Sequence, residues 1–131
     1  SFMKEQNNWF YFAEEDIKMA KSAFKERIFN QTCFHSQQAV EKMLKGFLRA
    51  KGVIIPRTHF LVELLKICIK IDKDFQDLRD ECAILDGYYI PTRYPDAIPG
   101  VLPEGLPEEK DAKEALSILI HACNFIKRKI K

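Results

Sequence analysis

The residues able to do chemistry fall in three places. Asp16 interrupts an apolar helical row, three residues after Ala13 and four before Ala20. Gln37, Gln38 and Glu41 lie in the stretch 31–51, QTCFHSQQAVEKMLKGFLRAK. Arg93, Tyr94 and Asp96 belong to the run Thr92-Arg93-Tyr94-Pro95-Asp96. Arginine holds phosphate through charge-assisted bonds, tyrosine stacks or orients, and amides read base edges. The set therefore has the composition of a nucleotide-recognition site. It has equally the composition of a buried polar network that fixes helix register. Either way each buried group needs a partner, because an unpaired buried amide costs about 1–3 kcal/mol.

Other chemistries lack their residues. No GxxxxGK[ST] or GxGxxG run is present to cradle a phosphate. Ser22, Ser36 and Ser117 fall inside helical periods and none sits on a nucleophile elbow. No HExxH or other metal-ligand spacing occurs. Cys33-Phe34-His35 and His121-Ala122-Cys123 pair a thiol with an imidazole, but residues two apart on a helix point to different sides. Cys33, Cys68, Cys82 and Cys123 each lie on or beside an apolar stripe and read as reduced core thiols. No metal and no resident cofactor are expected, and a nucleotide such as ATP is one ligand such a set could take.

Helices must position these groups. In the stretch 31–51, Cys33, Val40, Leu44 and Phe47 keep helical spacing, with Gln37 on the same stripe. The rest of the chain is expected to pack on this helix. A first helix covers about residues 4–27, its stripe being Trp9, Phe12, Ala13, Ile17, Ala20, Ala23 and Phe24. A turn near residues 28–30 makes these two an antiparallel hairpin, with Asn30 as N-cap and Gly52 as the stop.

After the turn at Pro56, Thr58 is the expected N-cap of a third helix over 59–71, buried through Leu61, Leu64, Leu65 and Cys68. His59 falls in its first turn, where the helix dipole favours a neutral imidazole. Asp72 and Asp74 open a fourth helix over 75–90, whose stripe is Phe75, Leu78, Cys82, Leu85 and Tyr89 and which Pro91 closes.

Residues 91–107 hold five of the six prolines, so no helix crosses them. A connection this long is usually functional or disordered. Residues 92–96 read as an ordered polar site and 97–106 as a flap. A fifth helix over 107–129 buries Ala112, Ala115, Leu116, Leu119, Cys123 and Ile126, and ends in a solvated basic run, Lys127-Arg128-Lys129. No strand pattern competes. The fold class is all-α: one domain, residues 1–131, an up-and-down bundle of about five helices with a long Pro-rich loop before the last.

Bulk composition excludes several classes. The 131 residues are 47% hydrophobic and 31% charged, enough for a core and ordinary for a soluble domain. A net charge of +2 does not by itself imply nucleic acid or membrane partners. No stretch approaches the roughly 18 apolar residues of a membrane span, and no signal-peptide pattern opens the chain. The expected location is cytoplasmic.

The order of these signals resembles the HEPN domain. The carrying residues are Trp9…Ala13-x-x-Asp16-x-x-x-Ala20, then Cys33-Phe34-His35-Ser36-Gln37-Gln38-Ala39-Val40-Glu41-Lys42. Gly52, Thr58-His59-x-Leu61-x-x-Leu64 and Tyr88-Tyr89-x-x-Thr92-Arg93-Tyr94-Pro95 continue the match over nearly the whole chain. The resemblance implies a helical bundle, usually a homodimer, that works beside a separate minimal nucleotidyltransferase as a toxin–antitoxin-like pair. It also implies nucleotide binding, with Arg93 on phosphate, Tyr94 stacking or orienting, and Asp96, Asp16, Gln37, Gln38 and Glu41 around the ligand.

Many HEPN relatives are metal-independent ribonucleases with an Arg followed by four to six residues and a His. Here Ile98, Pro99 and Gly100 occupy those positions after Arg93, and no other arginine has a His at that spacing. General acid–base help, about 10²–10⁴-fold, is then missing from that motif. A degenerate ribonuclease using Tyr94 or Asp96, with RNA as substrate, is the second reading. A bundle serving only protein interaction is the third.

Overall fold

The computed structural model describes residues 2–89 and 105–130, and of residues 2–7 the backbone alone. Five α-helices carry the fold: α1 (Phe2–Lys25), α2 (Phe29–Ala50), α3 (Leu61–Ile71), α4 (Arg79–Asp86) and α5 (Glu109–Ile130). A 3-10 turn, Lys73–Leu78, precedes α4. There is no strand among the described residues, and no described helix is long and apolar enough to cross a membrane.

α2 is the central element and packs against α1, α3, α4 and α5. Its stripe is closed to solvent: Cys33, Gln37, Val40, Leu44 and Phe47 expose at most 1% of their surface. Each large apolar side chain buried this way stabilises the fold by about 1.5–3 kcal/mol. Gly46 lets α1 approach closely, since a Cβ there would meet the Phe10 ring at 2.4 Å. The link from α1 to α2 is tight. Arg27 takes a left-handed φ of 60°, the Ile28 N–H bonds the Ala23 carbonyl, and the Arg27 guanidinium lies 5.0 Å from the Phe29 ring centroid. Gly52, at φ 70°, follows the last turn of α2 as expected of a stop residue.

Several boundaries differ from the sequence reading. Asn30 lies inside α2, and the cap position is Ile28, with no side-chain cap bond. α3 begins at Leu61 rather than His59. Thr58 stands outside it, where its hydroxyl accepts the Phe60 N–H and bonds the Glu63 carboxylate. The expected fourth helix is split. Phe75 and Leu78 are both buried and three residues apart, which suits the three-residue period of a 3-10 turn. Leu78, Cys82 and Leu85 then follow the α period and are buried too. α4 stops at Asp86, so Tyr88 and Tyr89 continue as turns bonded to Leu85 and Asp86.

Phe12 of α1 is exposed, and Phe10 takes the inward place. Tyr88, not Tyr89, is the buried tyrosine. Lys129 of the basic end is engaged, at 2.9 Å from Asp72 and 2.7 Å from Asp74. The four thiols are free and buried, and burial pushes Cys33, Cys68 and Cys123 up to about 12.

Candidate functional site

The polar side of α2 divides into two clusters of the same composition, each a carboxylate, an imidazole and an ammonium. In the first, Asp16 of α1 receives His35 Nδ1 at 2.8 Å on Oδ1 and the Lys42 ammonium on Oδ2. All three are mostly buried. Burial alone raises the Asp16 pKa, but the bonds and charges of His35 and Lys42 outweigh it and hold the carboxyl below its usual range.

The second cluster centres on Glu41, whose side chain is 6% exposed. Its Oε2 accepts Lys45 Nζ at 2.8 Å, one turn along α2, and lies 3.2 Å from His59 Nδ1. Its Oε1 accepts Gln38 Nε2 at 3.1 Å, and the same Gln38 nitrogen donates to Gln37 Oε1 at 2.8 Å. Gln37 Nε2 in turn donates to the His59 carbonyl at 2.8 Å and to Asp86 Oδ1 at 3.2 Å. The Gln on the apolar stripe thus has its partners, and it meets the end of α4.

Asp86 is the residue that sequence reasoning missed. Its two oxygens accept the Leu61 and Val62 N–H groups at 2.7 and 3.0 Å, so it caps α3 from another helix. Burial raises its pKa, and the Glu41 charge adds to that. The backbone N–H groups and the Gln37 amide work against the rise. Only its place before Gly87-Tyr88-Tyr89 could have drawn attention to it.

Aromatic rings close the top of this network. Tyr89 stacks on His59 at 5.1 Å, lies near-parallel to Phe34 at 6.5 Å, and meets Phe60 edge-on at 5.6 Å. Burial and the Glu41 carboxylate both raise the Tyr89 pKa. His59 is therefore no first-turn helix residue but a side chain facing Glu41 and Tyr89, with 59% of its surface exposed.

Of the sequence-predicted set, Gln37, Gln38 and Glu41 form one network, and Asp16 enters the other. Gln37 is fully buried, so it supports its neighbours rather than reaching solvent. Arg93, Tyr94 and Asp96, together with residues 97–104 of the flap read over 97–106, lie outside the described residues. Among the described residues, no three His, Cys, Asp or Glu side chains are grouped to hold a metal. Cys33 packs beside Tyr88 while His35 turns to Asp16, so that pair does not converge.

Known proteins share this arrangement of helices. The chain is 32% identical to ST0689, described as an archaeal HEPN homologue, with a TM-score of 0.76 over 96% of this chain and 98% of that one. It is 30% identical to TT1696 from Thermus thermophilus, with a TM-score of 0.75 over 95% and 97% of the two chains. A Methanocaldococcus jannaschii protein named "Putative toxin MJ1304" is 30% identical over 128 residues, 91% of this chain and 84% of that protein. The family model described as HEPN domain matches residues 6–129, which takes in all five helices except the ends of α1 and α5, and the chain belongs to the HEPN domain family.

Proposed function

We infer that this chain is the toxin-side HEPN module of a two-component pair, and that it binds nucleotide phosphate and answers to a separately encoded minimal nucleotidyltransferase. Family membership and the relative named as a toxin support the pairing. One observation carries the nucleotide reading. The Gln37–Gln38–Glu41 line runs to Asp86, His59 and Tyr89, so the chain leaves the described region at Tyr89 beside this network, four residues before Arg93. Arg93 is assigned to phosphate and Tyr94 to stacking, with Gln38, Glu41 and Asp96 beside the ligand and Asp16 and Gln37 bracing α2. Calorimetric titration of ATP tests it: binding heat is expected from the wild type, and Arg93→Ala should abolish it. An unchanged isotherm for Arg93→Ala would overturn the assignment.

The module is read as a homodimer. Tyr11, Phe12 and Met19 are exposed along α1 and share a surface depression with Glu14, Glu15, Lys18 and Lys42. A two-fold interface brings the same patch of both subunits together, and a patch with apolar side chains and both signs of charge can pair with its own copy. Phe12→Asp should halve the mass in sedimentation equilibrium; a wild-type monomer would refute the dimer.

A second reading has one observation in its favour. Two imidazoles among the described residues are oriented by carboxylates, His35 by Asp16 and His59 by Glu41. Carboxylate-oriented imidazoles suit acid–base chemistry. Metal-free RNA cleavage lost in both His59→Ala and Arg93→Ala would establish a ribonuclease; absence of cleavage by the wild type removes this reading.

A further inference from the structure

We propose that His59 and Gln38 form the sugar-reading part of the nucleotide site, accepting hydrogen bonds from the ribose 2′- and 3′-hydroxyls and so selecting ribonucleotides over their deoxy forms. This rests on the nucleotide-binding reading and names the sugar that the site takes.

The protons of the open cluster can be counted. Gln38 has two amide protons, and both are spent. Its Nε2 donates to Gln37 Oε1 at 2.8 Å and to Glu41 Oε1 at 3.1 Å. The carboxylate can only accept, which fixes the amide this way round. What half-buried Gln38 has left to offer is its carbonyl oxygen, an acceptor. His59 is set by the same carboxylate. Its Nδ1 lies 3.2 Å from Glu41 Oε2, so a neutral ring carries its proton there. Nε2 is then an acceptor, on a side chain 59% exposed. The two acceptors flank one carboxylate, Gln38 on Oε1 and His59 on Oε2.

Two neighbouring acceptors without a proton between them call for two donors on neighbouring atoms. Adjacent ribose hydroxyls supply that pair, and a deoxyribose lacks one of them. A phosphate oxygen is itself an acceptor and gains nothing from such a pair. The Lys45 ammonium does not supply the missing donor. It bonds Glu41 at 2.8 Å and lies 5.5 Å from the Trp9 ring centroid, with 10% of the side chain exposed. The support is fixed from both ends. Fully buried Gln37 donates to the His59 carbonyl and to Asp86, so backbone and ring of His59 are both held. Tyr89 covers one face of the imidazole at 5.1 Å and leaves its edge to the ligand. The closed cluster has no matching pair. There the second oxygen of Asp16 receives a donor, Lys42, and His35 is only 19% exposed.

Calorimetric titration of ATP, 2′-deoxy-ATP and 3′-deoxy-ATP into the intact protein tests the assignment. Each missing hydroxyl should weaken binding by about tenfold in Kd, the loss of one hydrogen bond. His59→Ala should cancel the preference over one deoxy form and leave the other, which belongs to Gln38. Equal affinity for all three nucleotides would overturn the sugar assignment while sparing nucleotide binding. So would preferences that are unchanged in His59→Ala. Absence of heat with ATP would overturn both. The tautomer provides a check that needs no variant. Nitrogen NMR of the labelled protein, above the pH at which the imidazole titrates, should show His59 with its proton on Nδ1 and a bare Nε2. A proton on Nε2 would turn that atom into a donor and overturn the acceptor pair.

Discussion

The two carboxylate–imidazole–ammonium clusters on α2 carry the same three kinds of chemical group in different surroundings. Asp16–His35–Lys42 joins α1 to α2, and its members face one another with little solvent between them. Glu41–Lys45–His59 joins α2 to the connector before α3, and there the carboxylate is buried while the imidazole is open. The first borders a depression with acidic residues and exposed aromatics, the second a cleft lined with arginine. Burial of the proton-carrying ring separates them: a closed cluster fixes helix register, and an open one leaves a nitrogen and a ring face for something else. The two can be separated experimentally, because damage to the first should appear in stability and damage to the second in binding.

The support beneath the open cluster should be the most sensitive part. Asp86→Ala removes the acceptor of the Leu61 and Val62 N–H groups and one partner of the Gln37 amide. A lost cap and a weakened amide together predict a loss of about 2–4 kcal/mol in urea unfolding. Asp86→Asn, which keeps one acceptor, should lose about half of that. If both variants unfold at the wild-type midpoint, Asp86 does not hold α3 and His59 in place.

Asp16→Ala tests the closed cluster and should cost about 1–3 kcal/mol, since it strands His35 and Lys42 without their shared carboxylate. Its pH signature has a definite sign. The folded-state pKa of Asp16 is lowered, so its contribution is complete above the ordinary carboxylate value, about 3.9, and is lost as pH falls through the folded value. Asp86, with its pKa raised, tilts the acid limb the other way. The stability of Asp16→Asn should therefore fall less steeply in acid than that of the wild type. An equal slope would mean that the cluster contributes nothing to register.

What could be read from the sequence followed a sharp divide. Every residue of the α2 stripe is buried as its period requires, because a side chain repeating at helical spacing has one face to occupy. The need of Gln37 and Asp16 for partners was legible too, because an unpaired polar group inside a core is costly. The partners themselves were not. Asp86 caps a helix that begins 25 residues before it, and His59 meets Glu41 across 18 residues. Local patterns carry no signal for bonds of that range. The split before α4 was hidden because Phe75, Leu78, Cys82 and Leu85 satisfy 3-10 and α periods in succession. The placement of His59 outside α3 followed from the Asp86 carboxylate doing what Thr58 would have done as a cap.

A smaller effect probes how closely α1 must lie on α2 for the closed cluster to form. Gly46→Ala should gain about 1 kcal/mol from helix propensity alone. Its new Cβ, however, would fall 2.4 Å from the Phe10 ring, and displacing that ring costs about 1–3 kcal/mol. The net expectation is a loss of up to about 2 kcal/mol. Phe10→Ala combined with Gly46→Ala should recover most of the clash, leaving a coupling energy in the double-mutant cycle. A stabilised single variant would show that the ring moves freely and that the helix spacing is not set there.

The smallest stability effect belongs to the open cluster itself. His59 is exposed and bonds Glu41 at its edge, and Lys45 and Gln38 keep their own bonds to Glu41 when the ring is removed. His59→Ala should therefore shift the unfolding free energy by no more than about 0.5 kcal/mol. Gln37 would be undisturbed, because it bonds the backbone carbonyl of residue 59 and not its ring. His35→Ala, the matching change in the closed cluster, should cost about 1–2 kcal/mol by leaving buried Asp16 with Lys42 alone. The difference between the two histidines is the decisive quantity. If His59→Ala proves as damaging as His35→Ala, the open imidazole is a structural member like its counterpart. If only His35 matters for stability while ATP affinity falls in His59→Ala, the open cluster has been kept for a ligand.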